Sequence, residues 1–208
     1  MLNAKYWNNF YQTFDLKKPS NFAKFIFKRL NKDKLIFDIG CGNGRDTLFF
    51  LSKKKKCFGL DTCKIAIASN KSNKRYEKNF IKINICGKAV FKKFPKNKPD
   101  LIYARFFMHT INLNQENKFL KNCYKLLQNK GKVALEFRTV KDPLMKKGKR
   151  LGHNERFYTH YRRFIETQTF KKNVKRLNFK ILYFKESYNF ANFAKEKPHI
   201  ARIIFQKS

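Results

Sequence analysis

The sequence predicts an α/β chain built on a doubly wound, largely parallel sheet, and three observations carry that prediction. Short apolar runs of strand length alternate with segments of helical periodicity, the mark of successive βα units. The first run, Leu35–Ile39, opens into a turn with three glycines in five residues, Gly-Cys-Gly-Asn-Gly. The last two runs, Phe179–Phe184 and Ile200–Phe205, are separated by 186–198, as an antiparallel pair closing a sheet edge would be.

In chain order, the N-terminal segment carries Tyr6, Trp7, Phe10, Tyr11 and Phe14 at helical spacing. These aromatics suit a short helix lying across the ligand-bearing end of the sheet, and equally a core-packing stripe. Strand runs follow at Leu35–Ile39, Cys57–Leu60, Phe80–Ile83, Leu101–Ala104 and Val133–Phe137. Helices are expected between them at about 45–53, 63–74 and 115–128. The last of these has Phe119, Leu120, Cys123, Leu126 and Leu127 on one face and stops at the C-cap signature Asn129-Lys130-Gly131. Residues Arg138–Arg163 are long, polar, aromatic and basic and fit no simple βα connection. With Gly148 and Gly152 as punctuation, they read as a loop that stays mobile until a ligand arrives. A helix near 166–177 leads into the closing strand pair.

The chain of 208 residues is 42% hydrophobic and has no Gly/Ser/Pro-rich linker, which predicts one domain, 1–208. Within it, 1–30 reads as an N-terminal helical segment and 138–165 as an acceptor-binding loop or cap. No leader pattern opens the sequence, and no apolar run approaches the about 18–20 residues that span a bilayer, so a cytoplasmic protein is expected. Five cysteines without a Cys-x-x-Cys pair suit free thiols better than a disulfide framework or a metal site. The formal charge of +35 has three readings: the compositional bias of a Lys-, Asn-, Phe- and Ile-rich chain, an anionic small substrate, or nucleic acid.

Glycine in the turn after the first strand permits positive φ and lets a ligand approach the main chain without meeting a Cβ. Dinucleotide sites place a pyrophosphate at the helix start that follows such a turn. Here Arg45 and Asp46 come next, and an acid in the first helical turn would repel a pyrophosphate. The pattern therefore favours a nucleoside ligand without phosphate. Asp61, at the end of Phe-Gly-Leu-Asp, supplies a carboxylate able to accept both hydroxyls of a ribose.

"FDIGCGNGRD" followed by "FGLD" resembles the first and second motifs of class I S-adenosylmethionine-dependent methyltransferases, and the alternation of strands and helices extends the resemblance over nearly the whole chain. The resemblance implies a Rossmann-like, seven-stranded sheet with an antiparallel C-terminal strand pair, and S-adenosylmethionine as cofactor. By position it implies that Asp38, Gly40, Cys41, Gly42 and Gly44 lie under the methionine part. Arg45 would meet the cofactor carboxylate, unless it is spent on a surface ion pair with Asp46 or a neighbour. Asp61 would hold the ribose with Thr62 beside the adenine, and Asn84 would stand where an acid or amide meets the adenine amino group. Ile85, Ala104, Trp7 and Tyr11 complete the expected cofactor set.

The end of the fourth strand, "DLIYARFFMHTI", lacks the Asp/Asn-Pro-Pro-aromatic turn typical of enzymes that methylate adenine amines. It offers Arg105 instead. A guanidinium beside a sulfonium is repelled in a low dielectric, and an anionic acceptor removes the conflict. Arg138 follows the fifth strand, and "GKRLGHNERFYTHYRRF" adds Arg150, His153, Arg156, Tyr158, His160, Tyr161, Arg162 and Arg163. Guanidinium forks and tyrosine hydroxyls suit phosphate oxygens. A solvated basic loop is the other reading, but arginine is chosen here in a chain that elsewhere prefers lysine.

"YARFFMHTI", "EFR" and "HNERFYTHYRRF" together resemble small bacterial methyltransferases of surface (capsular) polysaccharide biosynthesis, which implies sugar, nucleotide-linked or phosphoramidate acceptors. The expected activity is O-methylation of a small anionic precursor. Arg105 and His109 are the catalytic candidates, with His153 and His160 as further bases for a neutral hydroxyl. Arg105, Arg138, His153, Arg156, Tyr158, Tyr161 and Arg162 are the expected acceptor ligands. A nucleic-acid methyltransferase and a non-catalytic cofactor-binding protein are the alternatives.

Overall fold

The computed structural model describes residues 4–13, 18–30, 34–96, 98–191 and 196–208. Two helices come first, α1 (Ala4–Thr13) and α2 (Asn21–Phe27). Then β1 (Leu35–Ile39), α3 (Arg45–Ser52), β2 (Lys56–Asp61), α4 (Lys64–Lys71) and β3 (Phe80–Lys82) alternate, followed by α5 (Ala89–Lys93), β4 (Leu101–Arg105), α6 (Leu113–Leu126) and β5 (Lys132–Arg138). Three short strands, β6 (Lys149–Arg150), β7 (Glu155–Phe157) and β8 (Tyr161–Arg163), precede α7 (Thr167–Arg176), β9 (Phe179–Ser187) and β10 (Ile200–Lys207). Phe14 and residues 1–3 of the expected N-terminal segment lie outside the described residues.

The main sheet has seven strands in the order β3-β2-β1-β4-β5-β10-β9. Its first five are parallel, and β10 runs antiparallel to both β5 and β9. The central strands read as apolar runs because both faces are covered. Phe37 and Ile39 of β1 enter the cluster that holds Phe119, Leu120 and Cys123 of α6. Ile36, which precedes Phe37, enters the opposite cluster with Phe22 and Ile26 of α2 and Phe50 of α3. This alternation makes a three-layer α/β/α stack. Among the described residues no helix is long and apolar enough to cross a membrane.

Helix ends differ from expectation where capping decides them. α6 starts at Leu113 because Asn112 and Gln115 form a reciprocal capping box. α7 starts behind Glu166, whose carboxylate accepts from the backbone of Gln168 and Thr169. α4 stops at Lys71, and a 3₁₀ turn over Lys74–Asn79 follows it. At the turn beyond α6 the left-handed residue is Lys130 (φ 59°), not Gly131.

The segment expected to be a loop, 138–163, contains strands from Lys149 onward. β6, β7 and β8 form a three-stranded antiparallel sheet after a 3₁₀ turn over Pro143–Lys146. The Tyr161 hydroxyl on β8 donates to Glu155 on β7, and exposed β6 with buried β8 accounts for the polar composition that reads as loop in sequence.

Candidate active site

A cavity of about 940 Å³ opens at the carboxyl ends of β1, β2, β4 and β5. At one end the chain turns from β1 into α3 through three residues of positive φ: Gly40 (67°), Gly42 (53°) and Gly44 (73°). Gly40 and Cys41 donate their backbone N–H groups to the Leu60 carbonyl, and Gly42 donates to Asp61 Oδ2 at 2.9 Å. The other Asp61 oxygen accepts from the Cys63 backbone at 2.8 Å. Burial raises the Asp61 pKa, and these main-chain donors oppose the shift.

Gly40, Cys41, Asp61, Thr62, Asn84, Ile85, Trp7 and Tyr11, all expected at the cofactor, line this cavity. Gly42, Gly44 and Ala104 are set back from its wall. Gly42 lies beneath Tyr11, where a Cβ would sit 2.6 Å from the ring's Cζ. Gly44 spares a Cβ for Asn70 and Phe80, each 2.7 Å from where it would stand, so its reason is packing. Ala104 is fully buried in the core.

Asp38 accepts from Thr47 Oγ1 at 2.6 Å. Burial, then the Asp46 carboxylate nearby, push its pKa up to about 8. Asp46 itself is engaged on both oxygens by the backbone and hydroxyl of Ser20 and by the Tyr103 hydroxyl, each at 2.7 Å. It ties α2 and β4 to the start of α3. Arg45 lines the cavity and, among the described residues, donates only a long bond, 3.4 Å, to the Lys18 carbonyl. The expected alternative, an ion pair with Asp46, is not formed among the described residues.

α1 crosses the cavity mouth. Asn8 Oδ1 accepts from Cys63 Sγ at 3.1 Å at one end, and the Tyr6 ring lies 3.9 Å from the ring of His160 at the other.

That far end is arginine-rich, and its guanidiniums are not equivalent. Arg105, Glu136 and Arg202 are directly opposed on β4, β5 and β10. Arg105 Nε donates to Glu136 Oε1 at 2.9 Å, and Arg202 Nε to Glu136 Oε2 at 2.7 Å. Arg138 is matched by two carboxylates, Asp142 and Glu196. Arg162 has no ion pair among the described residues; its Nη1 lies 3.4 Å from Thr159 Oγ1, and its buried Nε has no partner. Burial and then Arg138 lower its pKa. His109, 4% exposed, also leaves a buried ring nitrogen, Nδ1, without a partner. Burial, then Arg138 and Arg162, hold its pKa well below the usual histidine value.

Three expected acceptor ligands belong elsewhere. Arg156 donates to the carbonyls of Met145, Gly152 and Glu155, stapling the small sheet to the turn before it. His153 and Tyr158 are exposed on that sheet, away from the cavity. Tyr161 lines the cavity with its hydroxyl donating to Glu155 at 2.7 Å. Arg163, read with this cluster, is paired with Glu116 and donates to the Ile111 carbonyl.

Sequence reasoning assigns Glu136, Arg202 and Phe106 no role at the site. Phe106 has φ 56°, an uncommon state for a bulky residue, and its ring lies 4.1 Å from the Arg105 guanidinium. The cross-strand register that brings Arg202 to the site needs strand pairing, but the charged residue within the apolar run Ile200–Phe205 was a visible signal.

Comparison with known proteins agrees with this geometry. Phosphoethanolamine N-methyltransferase of Plasmodium falciparum (isolate 3D7) is 31% identical over 107 residues, which are 51% of this chain and 40% of that protein. This chain thus spans well under half the length of that relative. A crystal structure of a SAM-dependent methyltransferase from Methanosarcina mazei superposes with a TM-score of 0.70 at 17% identity, covering 88% of this chain and 96% of that one. The glycopeptide N-methyltransferase MtfA, crystallised with S-adenosyl-L-methionine, superposes at 0.66 with 11% identity, covering 91% and 95%. The family model described as a methyltransferase domain matches residues 37–135. Residues 37–135 are thus similar to a methyltransferase domain, and the chain has the fold shared by S-adenosylmethionine-dependent methyltransferases.

Proposed function

We propose that the protein transfers the methyl group of S-adenosylmethionine to an oxygen of a small anionic acceptor, a phosphate- or phosphoramidate-bearing precursor of a bacterial capsular polysaccharide. The observation that carries this reading is the cavity with two unlike ends, carboxylates and bare main chain at one and incompletely paired guanidiniums at the other.

The cofactor fits the first end by the chemistry of its donors and acceptors. Asp61, fixed by two backbone N–H groups, presents a carboxylate to ribose hydroxyls. Gly40 lets the amino-acid part lie close to the main chain, and Arg45 on the cavity wall meets its carboxylate. Bound there, the cofactor supplies an electrophilic methyl on a sulfonium.

At the other end Arg105 and Arg162 hold the acceptor's anion and align its oxygen. Orientation supplies a large part of the rate in such a displacement. Surrounded by guanidiniums, His109 stays neutral and offers a hydrogen bond; an anionic nucleophile needs no base. A second reading, transfer to the nitrogen of a phosphate-bearing amine, is favoured by the likeness to phosphoethanolamine N-methyltransferase. It uses the same anion end.

The test is mass spectrometry of products after incubation with methyl-labelled cofactor and candidate acceptors. Label on phosphate-bearing acceptors supports the reading, and fragmentation separates oxygen from nitrogen. Label confined to neutral sugars, or absence of cofactor binding by calorimetry, overturns it.

A further inference from the structure

We propose that Glu136 and Arg202 are positioning residues, through which strand β10 fixes the guanidinium of Arg105 so that its Nη edge meets the acceptor's oxyanion. The proposal rests on the anionic-acceptor reading above and adds two residues that need touch neither substrate nor cofactor.

The geometry is a ladder across three neighbouring strands. Glu136 is fully buried, pairs in register with Arg105 on one side and Arg202 on the other, and gives one oxygen to each Nε. Arg202 is itself pinned. Its guanidinium lies 4.2 Å from the Phe190 ring and 5.1 Å from that of Phe25, and it donates to the Phe190 carbonyl at 3.2 Å.

Arg105 is also held on its face. The left-handed turn at Phe106 lays that ring against the guanidinium face, and the Phe106 N–H donates to the Glu136 carbonyl at 2.8 Å. Among the described residues nothing accepts from the Nη groups, and Arg105 lines the cavity. A guanidinium fixed at Nε and on its face surrenders little further rotamer freedom when it binds an anion. Two cations against one carboxylate also leave the cluster with one surplus positive charge, in a setting where water screens it poorly.

A ladder that merely stabilises the sheet predicts different behaviour, and a double-mutant cycle separates the two. The full chain is titrated calorimetrically with inorganic phosphate as the probe, and with S-adenosylhomocysteine as a check on folding and on the cofactor end. Arg105→Gln should weaken phosphate binding about tenfold. Arg202→Met should weaken it in the same direction with unchanged affinity for S-adenosylhomocysteine, Arg202→Lys should recover part of the loss, and the double variant should be no worse than Arg105→Gln alone. Glu136→Gln, which keeps the shape, serves the same purpose if Arg202→Met does not fold.

Phosphate affinity that falls in Arg105→Gln but is untouched in both Arg202→Met and Glu136→Gln overturns the positioning role alone. So do losses that simply add in the double variant. Phosphate affinity unchanged in Arg105→Gln removes the anionic-acceptor reading, and the proposal with it.

Discussion

Asp61 Oδ2 accepts the backbone N–H of Gly42 at 2.9 Å, so the turn after β1 and the end of β2 are held by one carboxylate. Asp61→Ala is therefore expected to lose the ribose acceptor and to loosen the turn together. The loss in S-adenosylmethionine affinity should be on the order of 1–3 kcal/mol, the range for hydrogen bonds to a charged group. Isothermal calorimetry checks it, and an unchanged dissociation constant would remove Asp61 from the cofactor end.

Gly42 is constrained twice, by φ 53° and by Tyr11 above it. Gly42→Ala should destabilise the chain by more than about 1 kcal/mol, since alanine resists the left-handed state and its Cβ meets the phenol. Tyr11→Ala in the same chain should recover the steric part but not the backbone part. Urea denaturation of the single and double variants measures the coupling. Strictly additive losses would show that α1 yields without cost.

Asp38 gives a pH dependence of definite sign. Its pKa rises from 3.8 to about 8 on folding, so between those values the native state holds a proton that the unfolded chain has released. Its contribution to stability is complete below about pH 4 and declines as pH rises to 8, by about 1.4 kcal/mol per pH unit. Asp38→Asn should flatten this slope in the ligand-free protein. Identical stability-against-pH curves for the two proteins would refute the assignment.

His160 acts at the acid side. Burial, then Arg162 and Arg138, depress its pKa to about 3, so below about 6.5 the unfolded chain gains a proton that the folded state refuses. Stability is then lost as pH falls from 6.5 toward 3. His160→Phe, which keeps a ring against Tyr6, should lessen that loss in acid denaturation followed by tryptophan fluorescence.

Arg156 is expected to behave as a structural residue. Arg156→Lys cannot reproduce a fork bonded to the carbonyls of Met145, Gly152, His153 and Glu155 and should cost about 1–2 kcal/mol of stability. Phosphate and S-adenosylhomocysteine affinities should not change. Lost phosphate affinity with unaltered melting would return this arginine to the acceptor.

The strands were legible in sequence because burial on both faces makes them apolar runs bounded by turns, as at Leu35–Ile39, which the structure reproduces residue for residue. The glycine turn was legible as a turn, but not the division among its glycines: Gly40 reaches the cavity, whereas Gly42 and Gly44 answer to Tyr11 and Phe80, contacts distant in sequence. The arginines were legible as a cluster only. Asp142 is four residues from Arg138, but whether the others are satisfied depends on where Glu196, Glu136 and Glu116 fall once the chain folds, and no local pattern encodes that.

The match to the methyltransferase domain stops at residue 135, one position before Glu136. The chain beyond that point contributes Arg138, Tyr161, Arg162, Phe190 and Glu196 to the cavity wall, with Arg202 behind Glu136. The glycine turn and its two acids all precede it. Inheritance can thus work on the two ends of one cavity separately: the last third of the gene can be rewritten or exchanged for another, while the opening βα units remain intact. A chimera joined between Leu135 and Glu136 would cut β5, and both parents would have to supply the partners of Glu136, of the Arg163–Glu116 pair and of the β5–β10 ladder.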